Sequence, residues 1–153
     1  MGSEQNKQLV EQRQHVWNTG ELDRVEELFA DDYIGHMPDE DRRGVESVKG
    51  YMRGIRTAFP DLEVSYETVI AEDDMVAVFV RLTGTHKGRL GELEPTGRRV
   101  DLNASFFSRI EDGQFTEEWI LTDLAGMTSQ LGERVSSNLT GAGSGERSDV
   151  GRH

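Results

Sequence analysis

The chain has 153 residues and no cysteine, and it carries 17 basic against 29 acidic side chains, a formal net charge of −12. That length suits one domain around one core. The acidity argues against an extended nucleic-acid or anionic-membrane footprint, and the missing thiols exclude disulfide frameworks, thiolate metal sites and a cysteine nucleophile. Only Lys7, Lys49 and Lys87 are lysines, a composition resembling proteins of a high-salt cytoplasm. The opening residues MGSEQNKQ hold no apolar run of signal-peptide type. No segment approaches the roughly 20 apolar residues that span a bilayer. The expectation is a cytoplasmic protein with neither membrane nor nucleic acid as a partner.

Leu9, Val10, Arg13, Val16 and Trp17 recur at helical spacing and predict an amphipathic helix ending near Asn18-Thr19-Gly20. A second helix comes next, with Leu22, Val25, Leu28 and Phe29 on one stripe, and stops at Asp31-Asp32. Tyr33 to Pro38 reads as a short extended piece, and Asp39 to Gly44 as a charged loop. Val45, Val48, Met52, Ile55 and Phe59 then mark a third helix, which Pro60 terminates.

From Leu62 the period changes to two. Leu62 to Ile70, Met75 to Thr83, Val100 to Ile110 and Phe115 to Asp123 predict four antiparallel strands. Residues 84–99 hold too many glycines for a regular element and read as a loop across one end of the sheet. Asp112-Gly113 is a two-residue hairpin signal. With that turn, Ile110 is expected opposite Phe115, Phe106 opposite Trp119, Ala104 opposite Leu121, and Leu102 opposite Asp123. After Gly132 the composition turns to Gly, Ser and charge, so residues 1–132 form the expected domain and 133–153 a tail without a core. Three helices before a run of strands indicate an α+β fold with a bent sheet wrapped over helices.

The expected register puts Trp119, Leu121 and Asp123 on one apolar face. A carboxylate held there is desolvated towards a raised pKa, which suits proton transfer. The other reading of Asp123 is that it ends the strand and caps the next segment. His36 is either a second acid/base group or a histidine bonded to backbone, and His86 lies in a loop at the rim of any pocket or in solvent. His36, Asp39 and Asp41 are close in sequence but lack a defined metal-ligand spacing, so no metal is expected. Phe59, Phe106 and Trp119 serve equally as core or as ligand-stacking surface.

Phe59-Pro60-Asp61, Gly84-Thr85-His86, Pro95-Thr96-Gly97 and Trp119…Asp123…Gly126…Gln130-Leu131-Gly132, in that order, resemble the SnoaL-like polyketide cyclases. These belong to the nuclear-transport-factor-two-like superfamily. The resemblance spans residues 5–132. It implies a cone-shaped α+β fold with three N-terminal helices on a curved antiparallel sheet, one deep pocket, and homodimers formed through the sheet. It also implies a cofactor-independent intramolecular aldol condensation of a small hydrophobic carbonyl compound. The key carboxylate of the family falls at Asp123. The candidate second acid/base group is His36, and the candidate ligand contacts are Tyr33, Phe59, His86, Phe106, Trp119 and Leu121. Members often carry a His-Asp pair where this chain has Ser105-Phe106, and Asn or Asp where Gly35 precedes His36. The alternatives on the same fold are a non-catalytic ligand-binding module and a dimerisation domain with a collapsed pocket.

Overall fold

Leu9, Val10 and Val16 bury one stripe of helix α1 (Gly2–Thr19), and Arg13 goes in with them. The computed structural model describes residues 2–38 and 40–132, so the tail at 133–153 lies outside the described residues. After α1 the chain makes a short 3-10 turn (Leu22–Arg24) and a single helical turn, α2 (Val25–Leu28). Phe29, expected at the end of a helix, instead opens a strand, β1 (Phe29–His36), which pairs with β2 (Asp41–Arg43). Helix α3 (Val45–Ala58) comes next, with Val48, Met52 and Ile55 facing inward.

Four long strands complete the sheet: β3 (Glu63–Glu72), β4 (Met75–Thr85), β5 (Arg99–Glu111) and β6 (Gln114–Thr122). A fourth helix, α4 (Leu124–Leu131), closes the domain. The six strands form one sheet in the order β2-β1-β6-β5-β4-β3, with β1 parallel to β6. The expectation of three helices on a purely antiparallel four-stranded sheet is therefore corrected, among the described residues, to four helices on a mixed six-stranded one. The physical reason lies at β6. Its outer edge would present a row of unpaired backbone groups, and the segment after α2 supplies the partner.

The core fills the space between the helices and one sheet face. Val76, Val78 and Val80 of β4, Val100, Leu102, Phe106 and Ile110 of β5, and Phe115 of β6 pack with Val10, Val16, Val48, Met52 and Ile55. The 84–99 loop is anchored, since the amides of Lys87 and Gly88 both donate to the Ala58 carbonyl at 3.0 Å.

The β5–β6 hairpin turns where expected. Asp112 and Gly113 both take positive φ, 54° and 76°, as a type I′ turn requires, and Ile110 pairs with Phe115. Then the register slips. Arg109 pairs with Glu117, so Thr116 has no opposite residue and forms a bulge. Phe106 consequently faces Ile120 and not Trp119, and Ala104 faces Thr122 and not Leu121. The strand ends before Asp123, whose amide donates to the Asn103 carbonyl at 3.2 Å. A slip of one residue moves every later side chain to the opposite face. Glu118, Ile120 and Thr122 therefore turn inward, while Trp119 and Leu121 are 38% and 60% exposed on the outer face.

Candidate active site

A cavity of about 100 Å³ opens between α1, α3 and the inner sheet face. Ile55, Phe59, Leu62, Val64, Val80, Leu82, Phe106 and Ile120 make its apolar walls. Its polar lining comes from Arg13, Tyr33, Tyr66 and Thr122, with Arg42, Ser47 and Tyr51 on the side of β2 and α3. Among the described residues, no Asp, Glu, Lys or His lines it.

Behind the lining sits Glu118, fully buried. Arg13 binds it with both terminal nitrogens, Nη1 to Oε2 and Nη2 to Oε1, the latter at 3.0 Å. The Tyr33 hydroxyl donates to Oε1 at 2.6 Å, and the Ser108 hydroxyl donates to Oε2. Four donors thus surround one carboxylate. The Arg13 guanidinium also lies 4.0 Å from the centre of the Phe106 ring, with the Phe115 and Phe29 rings at 4.9 and 5.1 Å. Burial works against its charge, but the charge and hydrogen bonds of Glu118 hold its pKa above the usual arginine value. Burial, then the Glu118 charge, push the Tyr33 phenol up. Burial likewise lifts Tyr66 to about 12, against the pull of Arg13. Both phenols therefore keep their protons near neutral pH. The Tyr66 hydroxyl and Arg13 Nε are buried without a hydrogen-bond partner among the described residues.

The residues expected at the site divide between the two faces of the sheet. Tyr33, Phe59 and Phe106 line the cavity. Asp123 is exposed and caps α4, its Oδ1 accepting the Gly126 amide at 2.8 Å, which is the capping alternative read from the sequence. His86 is not in solvent. It is fully buried behind the lining, its ring 5.6 Å from that of Phe59, and its Nδ1 accepts the Thr96 amide at 3.1 Å. The proton thus sits on Nε2, and burial lowers the pKa. His36 stands on the outer side, stacked on Trp119 at 5.5 Å. Its Nδ1 is 3.0 Å from Asp41 and its Nε2 is 2.8 Å from Glu117. Glu118 was not anticipated. The sequence signal that pointed to it was Arg13 on the apolar stripe of α1, because a buried cation needs a buried partner.

The sequence profile of the SnoaL-like polyketide cyclases matches residues 7–131. The chain belongs to that family. It is 30% identical over 132 residues to the aklanonic acid methyl ester cyclase DauD of Streptomyces sp. strain C5, covering 82% of this chain and 80% of that one. It is 30% identical over 122 residues to the nogalonic acid methyl ester cyclase of Streptomyces nogalater, covering 77% and 90%. Among solved structures, AclR from Streptomyces galilaeus superposes with a TM-score of 0.76 at 29% identity, over 86% of this chain and 83% of that one. TsrD from Streptomyces laurentii, at 24% identity, shares the fold with a TM-score of 0.79 over 86% of this chain and 98% of that one.

Among the described residues this SnoaL-like protein has no helix long and apolar enough to cross a membrane. They also contain no group of three His, Asp or Glu side chains that could hold a metal ion.

The His36 pair of contacts makes a testable pH dependence. Hydrogen bonds to Glu117 and then Asp41 raise its pKa above 6.5. The resulting stabilisation is complete below the unfolded value and is lost as pH rises through the higher folded value. Urea midpoints measured from pH 5 to 9 should therefore fall across that window in the wild type, and the fall should flatten in His36→Asn. An identical pH profile in the two proteins would contradict this.

Proposed function

We propose that this SnoaL-like protein closes a ring within a small hydrophobic carbonyl compound held in the cavity. The observation that carries this reading is an apolar chamber whose polar groups are hydrogen-bond donors, in a family whose curated relatives are methyl ester cyclases. A base removes a proton from the carbon beside one carbonyl, and the electron pair moves onto that oxygen as an enolate. Arg13 and the protonated Tyr66 phenol are the groups placed to donate to that oxygen, and the Tyr66 proton moves towards it as charge develops, so that no full negative charge settles beside Glu118. The enolate carbon attacks a second carbonyl of the same molecule, a carbon–carbon bond forms, and the second oxygen takes up a proton. Atoms and electrons balance as an isomerisation, so the step calls for no cofactor.

The lining supplies donors, so the base has to come from the rim. Asp123 directly succeeds Thr122, which lines the cavity, and only its Oδ1 is engaged in the α4 cap. We assign it the proton-accepting role. His36 has both ring nitrogens engaged on the outer face, and its part in this reading is to hold Glu117 and Trp119 in place there. With aklanonic acid methyl ester as substrate, Asp123→Asn should lower kcat by about 100-fold or more, within the range for general bases, with ligand affinity nearly unchanged. Unaltered turnover would sink the assignment. A wild type that binds the ester and releases it unchanged would instead make the protein a ligand-binding module.

The outer face supports a second proposal, a homodimer. Ile70, Phe79, Phe107, Trp119 and Leu121 are exposed together. The register sets Phe79 and Leu121 on either side of Ser105, and Phe107 beside Trp119. Such a patch on an acidic surface marks a contact face. It is bordered by the ion pairs Arg81–Asp101 and Arg109–Glu117, so two copies can meet there without stacking like charges. Light scattering after size exclusion should give a dimer, which Leu121→Lys converts to a monomer. A monomeric wild type would contradict this.

A further inference from the structure

Glu118 is not on the cavity lining, yet it governs the charge that the lining presents. Both cations on the lining already face a carboxylate. Arg13 is held by Glu118, and Arg42 lies 3.3 Å from Glu40 through Nη2. No acidic side chain among the described residues offsets them from inside the cavity. The buried end is thus an ion pair with its carboxylate turned away from the chamber and part of its cation turned towards it. At that end Arg13 Nε and the Tyr66 hydroxyl, which lies close enough to Arg13 to feel its charge, are buried without a hydrogen-bond partner among the described residues. An unmade hydrogen bond in such surroundings is costly, and an incoming oxygen would relieve it.

The charge balance decides which oxygen fits. A carboxylate entering here would leave bulk water for apolar walls, and would place a second full negative charge near Glu118 with one guanidinium between them. Burying a charge without its own counter-ion is strongly unfavourable. A carbonyl oxygen carries only partial charge and accepts two donors, so it takes the site without that cost. We infer that Glu118 is a specificity-determining residue: by neutralising Arg13 from behind, it reserves the buried end of the cavity for the uncharged carbonyl oxygen of an ester or ketone and closes it to a free carboxylate. The inference rests on the reading of the cavity as the ligand site, and it is independent of the role of Asp123.

Binding without turnover tests it. The full chain is titrated by calorimetry at pH 7 with methyl 2-naphthoate and, separately, with 2-naphthoate, which differ at the charged group. The wild type should bind the ester at least ten-fold more tightly. In Glu118→Gln the Arg13 charge is no longer neutralised, and the preference should swing towards 2-naphthoate by ten-fold or more. A residue with a purely structural role would weaken both ligands alike. Tyr66→Phe, which keeps the ring and its packing, should weaken the ester about three- to ten-fold, the worth of one hydrogen bond, and leave 2-naphthoate unchanged. This variant keeps the test decisive if Glu118→Gln does not fold. Equal binding of the two ligands by the wild type, no binding of the ester, an ester preference kept in Glu118→Gln, or an ester affinity unmoved in Tyr66→Phe would each overturn the inference. Selective binding of the ester with no cyclisation would leave the inference standing and remove the cyclase reading. Cyclisation with no selectivity would do the reverse.

Discussion

A guanidinium enclosed by the rings of Phe29, Phe106 and Phe115 is tenable only with a counter-charge at hand, and Glu118 supplies it. Removing either ion from water costs several kcal/mol, which is recovered only when geometry is good and every remaining lone pair is used. Here all four acceptor positions of the carboxylate are taken, by two nitrogens of Arg13 and by the hydroxyls of Tyr33 and Ser108. Those donors come from α1, β1 and β5, and the acceptor from β6. The pair therefore ties the first helix to three neighbouring strands of the sheet, and it does so at the end of the cavity. Shape and chemistry of the chamber depend on the same contact.

Much of the fold was legible in the chain. The spacing of Val48, Met52 and Ile55 marked α3, and alternation from Leu62, the apolar run from Met75 and the Asp112-Gly113 hairpin signal marked the four long strands within a few residues. Asp112-Gly113 placed the last hairpin turn correctly, because only the type I′ turn suits two positive φ angles at that site. β1 was read only in part, since Phe29 continued the apolar stripe of the preceding helix. Its strand state is imposed by the open edge of β6, a tertiary demand that local pattern does not carry.

The site was less legible, and a single residue explains most of the gap. Thr116 bulges out of β6, and from there the inner and outer sets exchange places. Trp119 and Leu121 moved to the outer face, and Glu118 moved inside. Nothing in the local sequence marks Thr116 as the extra residue; a bulge is selected by which face the next side chains must occupy. Arg13 held the missing clue. Its place between Val10 and Val16 on a buried stripe required an acid somewhere inside, and the even positions of β6 provide one. Phe59 and Phe106 were recognisable because they sit on elements whose inward face was read correctly, whereas Tyr33 lies on β1, for which no inward face was read. The two sheet faces now hold different groups: a donor-lined apolar chamber within, and an apolar patch framed by ion pairs without.

The central claim is that Glu118 points inward and neutralises Arg13 at the end of the chamber. A double-mutant cycle in urea with Arg13→Met, Glu118→Leu and the pair together measures this most directly. Each single change should cost about 3–5 kcal/mol, because it strands a buried charge. The double variant should cost far less than the sum, giving a coupling of about 2 kcal/mol or more. Small and additive effects, as for a glutamate on the outer face, would contradict the account.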